Sequence, residues 1–271
     1  MVRKFLIGAS LALLAAGVGR PAAADLKLLE PYGGIYSART LLGSPDDKRP
    51  KDALQSLPSK VADPTQRFVI SPFFAHSDGS GGDLTSYGGT LAYANSSNRL
   101  HPWQIQGSIL NNHVDVSGVG SGDILQFDLT GKFVLFQPED QDLPVISIVG
   151  RYADFESLGE RYDILLAADQ ELGRRMFATA NLGWSKFNCD CAKSSDLVAG
   201  LGLTYVFSRR LSLSADYTFS NNSDNTDLWT VAASYQLGRD SLLRVGGGKN
   251  STLGQNDQLV FASYVMKFDF K

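Results

Sequence analysis

The feature that most constrains this chain is a strict two-residue alternation, repeated in runs about as long as a bilayer is thick. In residues 211–219, Leu211, Leu213, Ala215, Tyr217 and Phe219 share one face, while Ser212, Ser214, Asp216 and Thr218 share the other. Trp229, Val231, Ala233, Tyr235 and Leu237 alternate in the same way with Thr230, Ala232, Ser234 and Gln236. Leu125, Phe127, Leu129, Gly131, Phe133 and Leu135 alternate with Gln126, Asp128, Thr130, Lys132 and Val134. Successive side chains of a strand point to opposite faces, so each run is a strand with one greasy and one polar side. Twelve such segments follow one another, near residues 67–77, 84–95, 103–112, 123–136, 145–155, 161–170, 175–187, 196–207, 210–220, 227–237, 242–249 and 258–270. Each has the length, about nine to eleven residues or slightly more, at which a tilted strand crosses a hydrocarbon layer. The first contains Pro72 and the eleventh Gly246-Gly247-Gly248, residues that weaken a ladder and predict bulged or short strands there.

Composition decides between the classes that this pattern leaves open. With 43% hydrophobic and 20% charged residues and a mean hydropathy of −0.10, the chain is apolar enough to fold but too polar for a bundle of membrane helices. A sequence pI of about 5.6 excludes a strongly basic nucleic-acid binder, so no nucleic-acid partner is expected. A soluble sandwich would also alternate, with its greasy rows turned inward. Long, nearly unbroken greasy faces on a chain of modest hydropathy instead predict an all-β fold: a closed antiparallel transmembrane β-barrel of about twelve strands, greasy outside and wet inside.

The chain divides into three parts. Arg3 and Lys4 precede the apolar run Phe5 to Gly17, and Ala22-Ala23-Ala24 supplies small residues before Asp25, the pattern of a signal peptide over residues 1–24. Its removal takes three basic residues and no acidic one, which makes the mature chain more negative than the formal −3. Residues 25–66 carry five prolines and the charge cluster Asp46-Asp47-Lys48-Arg49, and predict an extended periplasmic segment with at most a short helix around Lys51 to Leu57. Residues 67–271 are the barrel. Counting hairpins outward from the first strand puts tight turns such as Ser208-Arg209 on the inner side. Longer Ser, Asn, Asp and Gly segments, such as 111–122 and 250–257, fall outside. Trp103 and Tyr235 fall at the inner rim and Trp184 and Trp229 at the outer, as aromatic girdles at the two interfaces require.

The signal peptide, the serial hairpins and two stretches near the end carry a family resemblance. Ser208-Arg-Arg-Leu-Ser-Leu-Ser-Ala-Asp-Tyr-Thr-Phe219 and Leu237-Gly-Arg-Asp-Ser-Leu-Leu-Arg-Val-Gly246 resemble bacterial outer-membrane barrels, including the transporter-like group linked to uptake of aromatic compounds. The last strand, with Tyr264, Met266, Phe268 and Phe270 on one face, resembles the terminal recognition strand of such proteins, although Lys271 follows the closing aromatic. The resemblance implies residence in the bacterial outer membrane, with its lipid and the barrel-assembly machinery as partners and small solutes as cargo.

Alternation places Asp128, Lys132, Arg151, Asp163, Asp216, Arg244, Lys267 and Asp269 on the lumen side, where opposed charges can build a transverse field that selects small solutes. The same charges can instead pair across a filled barrel and satisfy one another. The expected function is therefore a passive channel or transporter for small solutes. The alternatives are a plugged barrel whose outer loops bind or adhere, and the secreted sandwich. No enzyme is expected. Twelve-stranded outer-membrane phospholipases set a His and a Ser two residues apart on one strand, whereas two residues beyond His76, His101 and His113 stand Asp78, Trp103 and Asp115. Cys189 and Cys191 are a candidate loop disulfide, no third ligand completes a metal site with them, and no cofactor motif is present.

Overall fold

A computed structural model describes residues 66–79, 82–95, 101–116, 120–136, 143–156, 159–172, 175–188, 193–208, 210–221, 226–238, 241–252 and 255–270. The signal peptide, nearly all of segment 25–66 with its expected short helix, and the Cys189/Cys191 pair lie outside the described residues. Twelve strands are present: β1 Gln66–Gly79, β2 Gly82–Asn95, β3 Trp103–Val116, β4 Gly120–Phe136, β5 Val145–Asp154, β6 Glu160–Glu171, β7 Met176–Asn188, β8 Lys193–Val206, β9 Leu211–Ser220, β10 Thr226–Gln236, β11 Ser241–Thr252 and β12 Gln255–Phe270. Each pairs antiparallel with its neighbours in sequence, and β1 pairs with β12, so the sheet closes into a barrel. Closure removes both sheet edges and gives every strand a partner on each side.

The face assignment follows the alternation. On β4, Leu125, Phe127, Leu129, Phe133 and Leu135 are exposed, while Gln126, Asp128, Lys132 and Val134 are buried. Leu201, Leu203 and Tyr205 on β8, and Trp229, Val231 and Tyr235 on β10, likewise point out. Greasy rows therefore cover the exterior, the reverse of a soluble sandwich.

The two doubtful strands are full members of the sheet. Pro72 lies in β1, whose pairing with β12 lapses at Ser71 and Pro72 and resumes at Phe73↔Ser263 in unchanged register. Proline lacks the amide proton for one rung, and the rungs on either side hold the strand in place. In β11, a side chain at Gly246 would collide with the Phe261 ring and the Ala232 methyl, at 2.5 and 2.8 Å, and one at Gly248 with the Trp229 carbonyl oxygen at 2.2 Å. Those glycines make room for neighbours that lie across the strand.

The loop lengths need correction. One end of the barrel carries Gln66 and Phe270 and is here the near end; at the opposite, far end the strands run beyond their expected limits. β3 continues to Val116, β4 begins at Gly120, β11 reaches Thr252 and β12 begins at Gln255. Only two residues separate β1 from β2 and β11 from β12 there, whereas seven separate β2 from β3 at the near end. The Ser, Asn, Asp and Gly segments expected as long loops are in large part hairpin extensions. The alternation stops marking a strand once both of its faces are polar, but the backbone ladder does not stop.

Arginine on the lipid side of a barrel costs about 2–4 kcal/mol at mid-bilayer. Leu201→Arg, on the exterior of β8, should lose stability of that order in urea titrations of vesicle-embedded protein. Thr218→Lys, inward and partly exposed, should stay within about 1 kcal/mol of the parent.

Candidate functional site: the barrel lumen

The lumen has two unlike walls. Along β2–β7 a continuous hydrogen-bonded chain fills the interior. Ser86 Oγ donates to Asn112 Oδ1 (2.7 Å), Asn112 Nδ2 to Gln126 Oε1 (3.2 Å) and Gln126 Nε2 to Asp128 Oδ2 (2.9 Å). Arg151 then bridges two carboxylates, with Nη2 2.9 Å from Asp128 Oδ1 and Nη1 3.6 Å from Asp163 Oδ2. Arg161 continues the chain, its Nε 3.0 Å from Asp163 Oδ1 and 2.9 Å from Ser185 Oγ. All of these residues are buried, Asn112 and Gln126 completely. A buried charge is tolerable only when paired and hydrogen-bonded, and here each carboxylate meets a guanidinium. Towards the near end Thr179 Oγ1 donates to Asp169 Oδ1 (2.6 Å), and Lys132 is buried in the same interior.

The β8–β11 wall is built from small residues. Gly200, Gly202, Ser212, Ser214, Thr218, Thr230, Ala232, Ser234, Gly246 and Gly248 alternate inward, and several are only partly buried. A side chain at Gly202 would meet Asp216 Oδ1 at 2.6 Å, so the glycine provides the space in which that carboxylate rests. Arg244 is the large cation on this wall. Its Nη2 lies 3.4 Å from Ser214 Oγ and 3.6 Å from Asp216 Oδ2, and the guanidinium carbon stands 5.7 Å from the centre of the Phe261 ring. The Arg244 side chain keeps 13% of its surface exposed, against 2% for Arg151.

Towards the far end the interior chemistry inverts. Leu84, Ile124, Ala153, Phe155 and Phe187 form an inward apolar cluster with Val114 packed on it, and the two phenylalanine rings meet edge to face at 6.2 Å. Phe155 is held there by a tight β5–β6 turn, in which its amide donates to the Gly159 carbonyl (2.9 Å), Glu156 has φ 43° and Gly159 φ 127°. On the same stretch the exterior is polar, with Asp78, Asp83, Asp115, His113 and Asp123 exposed. The far collar of the barrel is thus dry inside and wet outside, as in a soluble protein. A second inward apolar cluster, Ala75, Ala232, Leu259 and Phe261 with Leu228, lies on the opposite wall.

Of the eight residues expected on the lumen side, Asp128, Arg151 and Asp163 belong to the filled network, Lys132 is buried, and Asp216 and Arg244 face each other on the thin wall. The side chains of Lys267 and Asp269 are outside the described residues. Arg161 and Asp169 were missed, although both share the inward face of β6 with Asp163 and the alternation would have given them. Trp103 and Tyr235 project outward near the near end, and Trp184 and Trp229 outward towards the far end. The histidines have other partners than serine: His76 contacts Thr85 Oγ1 (3.0 Å), His101 the Val134 carbonyl (3.0 Å) and His113 Asp123 (3.0 Å).

No protein-family model matches the chain, and no curated protein matches it. Solved structures do. An outer membrane channel from Pseudomonas putida F1 superposes with a TM-score of 0.61 at 13% identity, over 78% of this chain and 97% of the other. The NanC porin gives 0.54 at 10% identity, over 73% and 100%, and the translocator domain of the autotransporter NalP from Neisseria meningitidis 0.54 at 9%, over 75% and 88%. At these identities the likeness is one of fold, the closed membrane-type β-barrel.

Removing one partner of a buried ion pair strands the other, at roughly 3–5 kcal/mol. Asp128→Ala should therefore lower unfolding stability by that order in urea titrations. Asp216→Asn, whose contact to Arg244 is 3.6 Å, should cost less than Asp128→Ala in the same titration.

Proposed function

We propose that this chain is a bacterial outer-membrane channel that passes small solutes passively along an eccentric path, bounded by β8–β11. The observation that carries the reading is the division of the lumen. One wall is closed by the Ser86-to-Ser185 network and the Phe155 cluster, and the other presents glycine, serine, threonine and alanine, several of them partly exposed, around one partly buried charge pair. A barrel that served only as a scaffold for surface binding would gain stability by filling both walls, since interiors pack to high density. The greasy exterior, bounded by aromatic residues towards both ends, fits residence in a bilayer. The likeness to solved outer-membrane channels and porins supports the same location.

In this reading the near end faces the periplasm and the polar far collar stands outside. Residues 1–24 direct export, residues 25–66 remain on the periplasmic side, Cys189 and Cys191 sit in an external connection, and the barrel-assembly machinery inserts the chain. The protein performs no catalysis: it offers a solute a wet wall between two solvent compartments and lets the gradient drive passage.

Two measurements test this. Reconstituted protein should give discrete conductance steps in a planar bilayer, and a bilayer indistinguishable from bare lipid would reject the channel. In a Cys189→Ser/Cys191→Ser background, Ser214→Cys should react with a small water-soluble thiol reagent and lose most of its conductance. Ser86→Cys, buried in the network, should react at least tenfold more slowly; equal reactivity would reject the eccentric path.

A further inference from the structure

Three arginines on the inward face have described contacts, and they are unequally employed. Arg151 and Arg161 each hold at least one acceptor at 2.9–3.0 Å, and the second contact of Arg151, to Asp163, is 3.6 Å. Among the described residues Arg244 makes long contacts, 3.4 Å to Ser214 and 3.6 Å to Asp216, and its Nε is buried with no hydrogen-bond partner there. Thr230 Oγ1, on the neighbouring strand, also has no partner. Guanidinium presents five N–H donors in a planar fork matched to a carboxylate, and a buried donor left unmade carries a desolvation penalty. Arg244 is thus a site of unspent hydrogen-bonding capacity on the more open wall.

An apolar surface adjoins it. The Phe261 ring, lying across Gly246 and beneath the guanidinium, is continuous with Leu259, Ala232 and Leu228 on the side towards the far end. Phe261, Leu259 and Ala232 are buried and Leu228 is partly exposed, so a solute coming from that end meets Leu228 first and the cation next. We propose that Arg244 and this apolar patch form the selectivity site of the channel, and that its substrates are small monocarboxylates with a short apolar body. The carboxylate takes the fork at Arg244 in place of the long contact to Asp216, and the hydrocarbon lies towards Leu228. A small inorganic anion or a sugar satisfies only half of such a site. Asp216 acts as the competitor: its carboxylate occupies the cation weakly when no substrate is present and keeps binding loose enough for release.

This inference rests on the channel reading, and the experiment separates the two. Hexanoate, its neutral analogue hexanamide, and acetate are added during single-channel recording in KCl, and hexanoate binding is followed in parallel by saturation-transfer NMR on the detergent-solubilised protein. Hexanoate should interrupt the current at concentrations at least tenfold below those needed for hexanamide or acetate. Arg244→Gln should weaken hexanoate at least tenfold while heat-modifiable gel migration persists, and Asp216→Asn should strengthen it at least threefold. Equal action of hexanoate and hexanamide, or unchanged hexanoate action in Arg244→Gln, overturns the site and leaves the channel standing. If the protein conducts nothing, the channel reading fails. In that case, NMR binding of hexanoate that disappears in Arg244→Gln upholds the carboxylate site, and its absence overturns the site as well.

Discussion

Everything in this structure depends on a backbone constraint: in hydrocarbon, each peptide N–H and C=O needs a partner, because no water is there to substitute. A sheet meets that demand only by closing, and the pairing of β1 with β12 closes this one. Once the ladder is a ring, single defects become tolerable. The rung lost at Pro72 is spanned by an unchanged register on either side, and the glycine run of β11 is held by β10 and β12. A strand with an open edge would have no such support. Closure also fixes the side chains, since a one-residue slip anywhere would turn an entire greasy row into the lumen.

The solvent on each face changes along the strand, and the side chains follow it. In the middle of the barrel, leucine and phenylalanine meet lipid and hydroxyls and charges lie within. Towards the far end the exterior turns to aspartate and histidine, while Leu84, Ile124, Phe155 and Phe187 turn inward. The inversion marks where lipid tails give way to water. It also brings two kinds of stabilisation into one sheet. The mid-section is held by its ladder and the Arg151–Arg161 network, and the collar by burial of apolar surface at roughly 25 cal/mol per Å².

How much of this was legible in the sequence follows from what period two encodes. It gave the strand count and the facing of Leu213 and Ser214, because alternation depends only on geometry local to one strand. Strand ends beyond the membrane escaped it. At Gly120–Asp123, Lys249–Thr252 and Gln255–Gln258 both faces lack apolar side chains, so a hairpin extension looks like a loop. The choice of partners escaped it as well. That Arg151 serves Asp128 and Asp163 while Arg244 is poorly served depends on tilt and register across several strands, information carried by pairing and not by any single segment. Phe155 and Phe187 fall on inward positions by parity, but an aromatic residue near a strand end reads equally well as a girdle residue or a cap.

In the proposed channel, the unequal treatment of the arginines connects stability to transport. A selective conduit must leave some polar capacity unspent, since a donor already satisfied offers nothing to a passing solute. Unspent capacity is destabilising, because buried donors without acceptors lose their water and gain nothing. Here the two requirements are kept on opposite walls. The Ser86-to-Ser185 network satisfies its members, fills its half of the lumen and rigidifies β2–β7. The β8–β11 wall, carried by the same closed ladder, can then hold Arg244 with long contacts at little risk to the fold. Spreading the charges evenly around the ring would blur that division: each would be half-paired, neither a firm strut nor a free hand for a carboxylate. For the proposed channel, an eccentric lumen is therefore the arrangement in which the barrel can be both rigid and selective.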